Sequence, residues 1–341
     1  MKQAMKGMPL VSVVMTVYNG ERYLKEALQS VFSQTYQNFE IIIVIEYGTH
    51  DHTFDILNSF HDSRLRVVIN KTRLGVSPSL NIGLEMAKGK YIARIDDDDI
   101  WIRNKLERQI LFLEKHPDVG MCGSNAYIIN NRGKIVNVCV YPAKSRAVKM
   151  SLYISNCFIS SAVLMRKSII KRYGLQYSGN VCEDYWLWIN ISMYAEVENL
   201  PNFLVGYRVF EGNRTSHLIA QQEKRDREIH SFIWEKAGIS YPFDKSFYAK
   251  SVRYRERLRK YHMLIELSQT PRFRNRGMND LAELLYKFQS MMGTGLFDTD
   301  LPEMNYLFKF YYLLHCKKKK LERKYHEKRY IGKKCRYKQQ E

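Results

Sequence analysis

Four consecutive carboxylates, Asp96 to Asp99, directly follow the apolar run Tyr91 to Ile95. Crowded carboxylates are electrostatically unfavourable unless a cation lies among them. Hard divalent ions such as Mg²⁺ or Mn²⁺ take oxygen ligands, and Mg²⁺ typically combines one or two carboxylates with phosphate oxygens of a substrate. The run therefore predicts a divalent metal site for a phosphorylated ligand or, as the alternative, a solvated acidic turn.

A second acidic point lies far along the chain at Glu183 and Asp184, just ahead of Trp186 and Trp188. A carboxylate at the start of a helix is a candidate general base, because a positioned carboxylate can take a proton from a reacting hydroxyl. The alternative is a carboxylate that stabilises the N-terminus of a helix whose tryptophans lie in the core. The residues alone leave both interpretations open.

Alternating strands and helices would position these carboxylates. Apolar, β-branched runs predict buried parallel strands at 10–17, 41–45, 65–69 and 91–95. Apolar residues at helical spacing predict helices that begin near Glu21 and span about Ser77 to Lys88. This alternation predicts an α/β fold with a doubly wound, mostly parallel sheet and helices on both faces. Ligands bind such sheets beyond the carboxyl ends of the strands, which here are 16–20, 46–51 and 96–99.

The length, net charge and cysteine content limit the domain organisation, the partners and the compartment to be expected. The 341 residues fit one large catalytic domain and a smaller region, and we expect residues 1–217 to form the first and a helical, basic 218–341 the second. The net charge of +19 predicts an acidic partner, namely nucleic acid, an anionic membrane or a phosphorylated substrate. Six scattered cysteines without a CxxC pair indicate reduced thiols in a cytoplasmic protein.

Four short segments, in order along the first 215 residues or so, carry a family resemblance. They are Tyr18-Asn19-Gly20 with Ser33-Gln34-Thr35-Tyr36, the stretch Gly89 to Asp99, Glu183-Asp184-Tyr185 with Leu187-Trp188, and Tyr207-Arg208 with Glu211-Gly212-Asn213. Together they resemble the family-two inverting glycosyltransferases, which have the GT-A fold and a DxD motif. The resemblance implies transfer of a sugar from a nucleotide diphosphate donor to a hydroxyl, with inversion and with Mn²⁺ or Mg²⁺ as cofactor.

The same resemblance implies roles for individual residues. Asp184 corresponds to the catalytic base, and Asp98 corresponds to the metal ligand. Asp96 corresponds to a contact with the donor ribose or base. The full set of donor-binding candidates is Thr16, Tyr18, Glu46, Asp96 and Asp97, and the candidate supporting residues are Glu183, Arg94, Arg208 and His217.

Three positions depart from the family pattern. The family usually has two adjacent aspartates before Gly-Ser, whereas this chain has Glu46-Tyr47-Gly48-Thr49. Phe210 and Ser160 each stand where the family often has a histidine, and His217 is a candidate substitute for the first. These departures bear on uracil recognition and donor choice. They leave a catalytically altered sugar- or nucleotide-binding relative as the alternative function.

The stretch Pro78 to Gly83 and the basic C-terminal region resemble, more finely, β-1,3-N-acetylglucosaminyl and galactosyl transferases of O-antigen and lipooligosaccharide synthesis. This resemblance implies UDP-GlcNAc or UDP-Gal as donor and a lipid-linked or lipooligosaccharide acceptor. The aromatic patch Tyr306 to Leu314, followed by a basic run from Lys317, predicts peripheral binding to the anionic inner face of the cell membrane. The alternative is a packed helix with a basic tail. Since the basic residues concentrate in this tail, no nucleic-acid partner is expected.

Overall fold

The computed structural model describes residues 7–153, 155–210 and 218–236. The chain divides into two units between Ile229 and His230, and all of the site geometry below lies in the first. The expected domain boundary at 217/218 stays a prediction. The aromatic patch Tyr306 to Leu314 and the basic run from Lys317 lie outside the described residues.

Within the described residues, nine strands form one mixed, mostly parallel sheet. They are β1 (Val11–Val17), β2 (Phe39–Ile45), β3 (Leu65–Ile69), β4 (Tyr91–Arg94), β5 (Ile100–Trp101), β6 (Val119–Ile129), β7 (Ile135–Cys139), β8 (Leu164–Arg166) and β9 (Glu196–Arg208). The strand order is β3-β2-β1-β4-β8-β6-β9-β5, with β7 paired to β6. Because β3, β2, β1 and β4 are mutually parallel, the predicted doubly wound half of the sheet is confirmed.

Eight α-helices accompany these strands in the same described ranges. They are α1 (Leu24–Phe32), α2 (Thr53–Asn58), α3 (Val76–Met86), α4 (Lys105–Lys115), α5 (Ser145–Leu152), α6 (Lys167–Arg172), α7 (Glu183–Tyr194) and α8 (Ile219–Lys236), and a short 3₁₀ helix spans Ser160–Ala162. The helix predicted near Glu21 begins later, because the Gly20 carbonyl first accepts the N–H groups of Tyr23 and Leu24 in a turn. No helix in this part of the chain is long and apolar enough to cross a bilayer.

Helices cover both faces of the parallel strands. On one face Val13 and Met15 of β1 belong to the same core cluster as Leu24 and Leu28 of α1. On the other face α3 approaches so closely that a Cβ on Gly83 would lie 2.4 Å from a methyl carbon of Val14. Burial on both faces explains why β1 and β2 are apolar at nearly every position.

The described residues after Trp101 include two long strands. Strand β6 has 11 residues and β9 has 13, and the two pair in parallel from Val119 with Glu196 to Ile129 with Arg208. This pairing joins segments far apart in sequence, so no local pattern reveals it. The helix predicted after Glu183-Asp184 is confirmed as α7.

Lys105, in the first turn of α4, is fully buried. Its Nζ donates to Oε1 of Gln109 at 2.8 Å and lies 4.0 Å from the centre of the Trp101 ring. Burial lowers the pKa of Lys105 from 10.5 to about 7. Unfolded chains therefore bind more protons than folded ones between about pH 7 and 10.5, so this lysine makes stability rise with pH through that window and imposes its full cost below it.

Lys105→Met should remove this pH dependence. We expect the free energy of unfolding of the wild type, relative to the variant, to increase by about 2 kcal/mol between pH 7 and pH 9. Urea unfolding of both proteins at pH 7, 8 and 9 measures that difference, in which the other titrating groups cancel. A constant difference across the three pH values would contradict the buried-lysine explanation.

Candidate active site

The carboxyl ends of β1, β2 and β4 meet at one edge of the sheet. Val17, the last residue of β1, is paired with Ile45, the last residue of β2. The backbone turns sharply after β1 because Asn19 has a φ of +51°, in the left-handed region that asparagine tolerates. The side chains that follow the three strands include Tyr18, Glu46 and the aspartate run.

Two cavities open at this edge. The β1 cavity has a volume of about 660 Å³, and its lining includes Thr16, Tyr18, Glu46, Arg73 and Phe210. The α7 cavity has a volume of about 460 Å³, and its lining includes Tyr141, Asn156, Ser160, Glu183, Asp184 and Tyr207. The residues that line both cavities are Thr16, Val76, Asp97 and Asp98. The two cavities therefore meet at the aspartate run.

The four aspartates differ in their surroundings. Asp99 is fully buried, and its carboxylate accepts the backbone N–H of Arg208 at 2.8 Å, so it ties β9 to the turn after β4. Asp96 faces the α7 cavity, whereas Asp97 and Asp98 face both cavities and are half-buried. The part of the run available to a ligand is thus Asp96 to Asp98, and Asp99 has a structural role.

The turn after β1 makes room for Asp97. A Cβ placed on Gly20 would lie 2.6 Å from Oδ2 of Asp97 and 2.8 Å from a methyl carbon of Val17. Both distances are shorter than real Cβ contacts, so a larger residue at this position would displace the carboxylate. The Asn19-Gly20 turn therefore shapes the site as well as ending β1.

The charge at Asp97 and Asp98 fits a divalent cation. Burial, followed by the charge of Asp96, raises the pKa of Asp98 to about 7, and burial and both neighbours raise the pKa of Asp97. No three His, Cys, Asp or Glu side chains converge as a ligand set in the described residues. A divalent ion held by these carboxylates would therefore take further oxygen ligands from a substrate, as Mg²⁺ does at phosphates.

Arg94 joins the aspartate run to α7. Its buried guanidinium donates through Nη2 to Asp96 at 3.0 Å and to Glu183 at 3.2 Å. Because Glu183 is buried in an ion pair, its carboxylate is held toward β4. The neighbouring Asp184 is the other carboxylate that this turn of α7 presents to the α7 cavity.

Asp184 is the second residue of α7. The helix begins at Glu183, directly after Cys182, whose backbone is left-handed. Oδ2 of Asp184 accepts hydrogen bonds from Ser160 Oγ at 2.6 Å and from Asn156 Nδ2 at 3.2 Å. Both donors come from the segment before β8. The carboxylate is thus fixed at the wall of the α7 cavity, where it could take a proton from a bound hydroxyl.

Comparison with known proteins identifies the family. A family model described as glycosyl transferase family 2 matches residues 12–174. An uncharacterized glycosyltransferase of Haemophilus influenzae is 31% identical over 252 residues, which cover 69% of this chain and 77% of that protein. The chain belongs to glycosyl transferase family 2. The matched range includes the aspartate run, whereas Asp184 lies beyond it.

Other relatives of this family 2 glycosyltransferase have more specific names. The Escherichia coli protein named UDP-Glc:alpha-D-GlcNAc-diphosphoundecaprenol beta-1,3-glucosyltransferase WfgD is 34% identical over 227 residues, 66% of this chain and 87% of WfgD. The crystal structure of S. aureus TarS 1–349 superposes with a TM-score of 0.53 over 86% of this chain and 75% of TarS, at 17% identity. At that identity the fold alone is shared, and the predicted GT-A-type α/β fold is confirmed.

Glu46 of this family 2 glycosyltransferase holds a loop. Its carboxylate accepts backbone N–H groups from Leu74 at 3.0 Å and Gly75 at 2.5 Å, and the amide of Asn70 at 3.4 Å. Burial acts to raise the pKa of Glu46, but these hydrogen bonds outweigh it and hold the pKa below its ordinary value. Glu46 lines the β1 cavity as expected, yet its oxygens already organise the N-terminus of α3.

The end of β9 and Phe210 just after it contact the site at two places. Arg208 is buried, donates through Nε to the Asp98 carbonyl at 2.7 Å and pairs with Glu26 of α1 at 2.6 Å. Phe210 lines the β1 cavity, with its ring 5.2 Å from that of Tyr23. His217, the candidate substitute for the absent histidine, lies outside the described residues.

Two features of the site are not predicted from the sequence. Arg73, in the loop after β3, lines the β1 cavity with its guanidinium 5.3 Å from the centre of the Tyr18 ring. Its position just past the carboxyl end of a parallel strand is the signal that would have identified it. Asn156 carries no such signal, because it belongs to no predicted strand end, and only the fold brings it to Asp184.

Proposed function

We propose that the chain transfers a sugar from a UDP-linked donor to a hydroxyl of a lipid-linked glycan, with inversion at the anomeric carbon. The observation that carries the proposal is that two cavities meet at Asp97 and Asp98, while Asp184 lines only the second of them. This arrangement suits a donor in the β1 cavity and an acceptor in the α7 cavity. The reacting carbon would then lie between the aspartates and the base.

The β1 cavity has the chemistry of a nucleotide site. Thr16 near the end of β1, Tyr18 just after β1 and Glu46 just after β2 all line the cavity, which supports their assignment to donor binding. The diphosphate would point toward Asp97 and Asp98. A divalent ion bound there, Mn²⁺ or Mg²⁺, would supply positive charge that stabilises the departing diphosphate.

The α7 cavity supplies the base. Asp184 would accept the proton of the acceptor hydroxyl as its oxygen bonds to the anomeric carbon and the bond from that carbon to the diphosphate oxygen breaks. The base and the leaving group lie on opposite sides of the reacting carbon in this arrangement. Direct displacement of that geometry inverts the configuration.

The names of the relatives narrow the substrates to test. WfgD and WfaP of Escherichia coli are both named as transferring from UDP-Glc to alpha-D-GlcNAc-diphosphoundecaprenol, and WbnJ is named for O-antigen biosynthesis. We therefore add UDP-Glc to UDP-GlcNAc and UDP-Gal as donors and take a lipid diphosphate-linked sugar as the acceptor class. The peripheral location at the inner face of the cell membrane rests on the basic sequence from Lys317 onward and stays part of this proposal.

Thermal stabilisation by nucleotide sugars tests donor choice. We expect one of UDP-Glc, UDP-GlcNAc and UDP-Gal to raise the melting temperature in Mn²⁺ and to do so much less in EDTA, because a ligand at 100 times its Kd adds about 2.7 kcal/mol to folded-state stability. GDP-mannose is the matched control. Incubation of the selected donor with a synthetic GlcNAc-diphospholipid, followed by NMR of the product, then reports the anomeric configuration. Stabilisation without transfer to any such acceptor would favour the catalytically altered relative.

A further inference from the structure

The carboxylate of Asp184 receives three hydrogen bonds in the described part of the chain. Oδ2 accepts from both Ser160 Oγ and Asn156 Nδ2, and Oδ1 accepts the backbone N–H of Tyr185 at 2.6 Å. A carboxylate offers about four lone-pair positions, two on each oxygen. Oδ2 is therefore fully occupied, and one position remains on Oδ1.

The two side-chain donors are themselves fixed. Oδ1 of Asn156 accepts the backbone N–H of Phe158 at 3.0 Å, an arrangement that leaves the amide nitrogen to face Asp184. Ser160 begins the 3₁₀ helix, and the next residue, Ser161, accepts the backbone N–H of Asp96 through Oγ at 2.9 Å. The segment 156–161 thus contacts both the base on α7 and the aspartate run after β4.

We propose that Asn156 and Ser160 are positioning residues that hold Oδ2 of Asp184 and leave Oδ1 as the atom that accepts the acceptor proton. The inference rests on the proposed function, since it assigns Asp184 as the base. With both donors in place the carboxylate cannot rotate about its Cβ–Cγ bond without losing charge-assisted hydrogen bonds. The acceptor hydroxyl then meets a fixed lone pair instead of a rotating group.

Other ionisable groups also surround Asp184 and would remain in the variants. They are Arg94 on β4, Tyr177 and Cys182 before α7, Glu183 on α7, Tyr207 on β9 and Asp226 on α8. Asn156 and Ser160 differ from all of these because their side chains do not ionise. Their removal changes the orientation of the carboxylate and leaves the charge of the site unaltered.

Ser160→Ala and Asn156→Ala test the proposal on the full chain. We expect each to lower kcat about tenfold and the double variant to lower it about 10²-fold, as misplaced catalytic groups do. The donor KM and the Mn²⁺-dependent thermal shift with donor should not change, because neither residue lines the β1 cavity. Ser160→Thr keeps the hydroxyl and should retain most of the wild-type kcat. Ser192→Ala removes a buried hydroxyl elsewhere on α7 and is the matched control.

The decisive test combines Ser160→Ala with Asp184→Asn. If Ser160 acts through Asp184, Ser160→Ala should lower kcat in the wild type but have no further effect on the residual turnover of Asp184→Asn. An equal loss in both backgrounds, or full activity of the Asn156→Ala/Ser160→Ala protein, would overturn the positioning role while leaving the base intact. Full turnover of Asp184→Asn itself would instead remove the base from the proposed function, and the inference would fall with it.

Discussion

Asp184→Asn is expected to lower kcat by about 10²–10⁴-fold, the usual cost of losing a positioned general base. The substitution keeps the shape of the side chain and removes its ability to take a proton. Donor affinity should stay near the wild-type value, because Asp184 lines the α7 cavity and not the β1 cavity. Steady-state kinetics with the donor found by thermal stabilisation, together with calorimetry of UDP binding in Mn²⁺, separate the two effects.

Glu183→Gln is the matched control for this variant, because it removes the same charge one residue away. Its carboxylate is buried in the ion pair with Arg94, so the change should reduce stability more than it reduces turnover. Thermal melts and kinetics of both variants show which substitution lowers stability more and which lowers kcat more. A larger loss of kcat in Glu183→Gln than in Asp184→Asn would assign the base to Glu183.

The parallel strands are the part of the fold that the sequence predicts most directly. Almost every residue of β1 and β2 is buried, so the two strands are nearly continuous runs of apolar, β-branched side chains, the pattern typical of strands buried on both faces. The pairing of β6 with β9 is not predictable in this way. The two strands are separated by more than 60 residues that include α5, α6 and α7, and no local sequence pattern in either strand identifies the other as its partner.

Within the site, the carboxylates are visible in the sequence but their partners are not. Arg94 links Asp96 to Glu183, which lies 89 positions further along the chain than Arg94, and this ion pair holds the Glu183 carboxylate toward β4. The contacts of Glu46 are likewise only partly predictable from the sequence. Its position at the end of a strand predicts a ligand contact, whereas its hydrogen bonds to Leu74 and Gly75 depend on a loop that no local pattern describes.

Asp98→Asn is expected to abolish the part of donor binding that depends on the metal. Asp98 lines both cavities, and its pKa is raised to about 7 by burial and the charge of Asp96, so the folded protein holds a carboxylate whose charge a bound cation would stabilise. An amide at this position keeps one oxygen but loses the charge that a divalent ion requires. The β1 cavity would still accept the nucleoside, since its Tyr18 and Arg73 are unchanged.

Calorimetry of UDP with the wild type and with Asp98→Asn, each in Mn²⁺ and in EDTA, measures this loss. In EDTA the two proteins should bind UDP equally, which shows that the cavity is intact. In Mn²⁺ the wild type alone should gain affinity, because its carboxylate and the diphosphate share the cation between them. If Asp98→Asn gained as much from Mn²⁺ as the wild type, Asp98 would not be the metal ligand, and the cation would have to be held by Asp96 or Asp97.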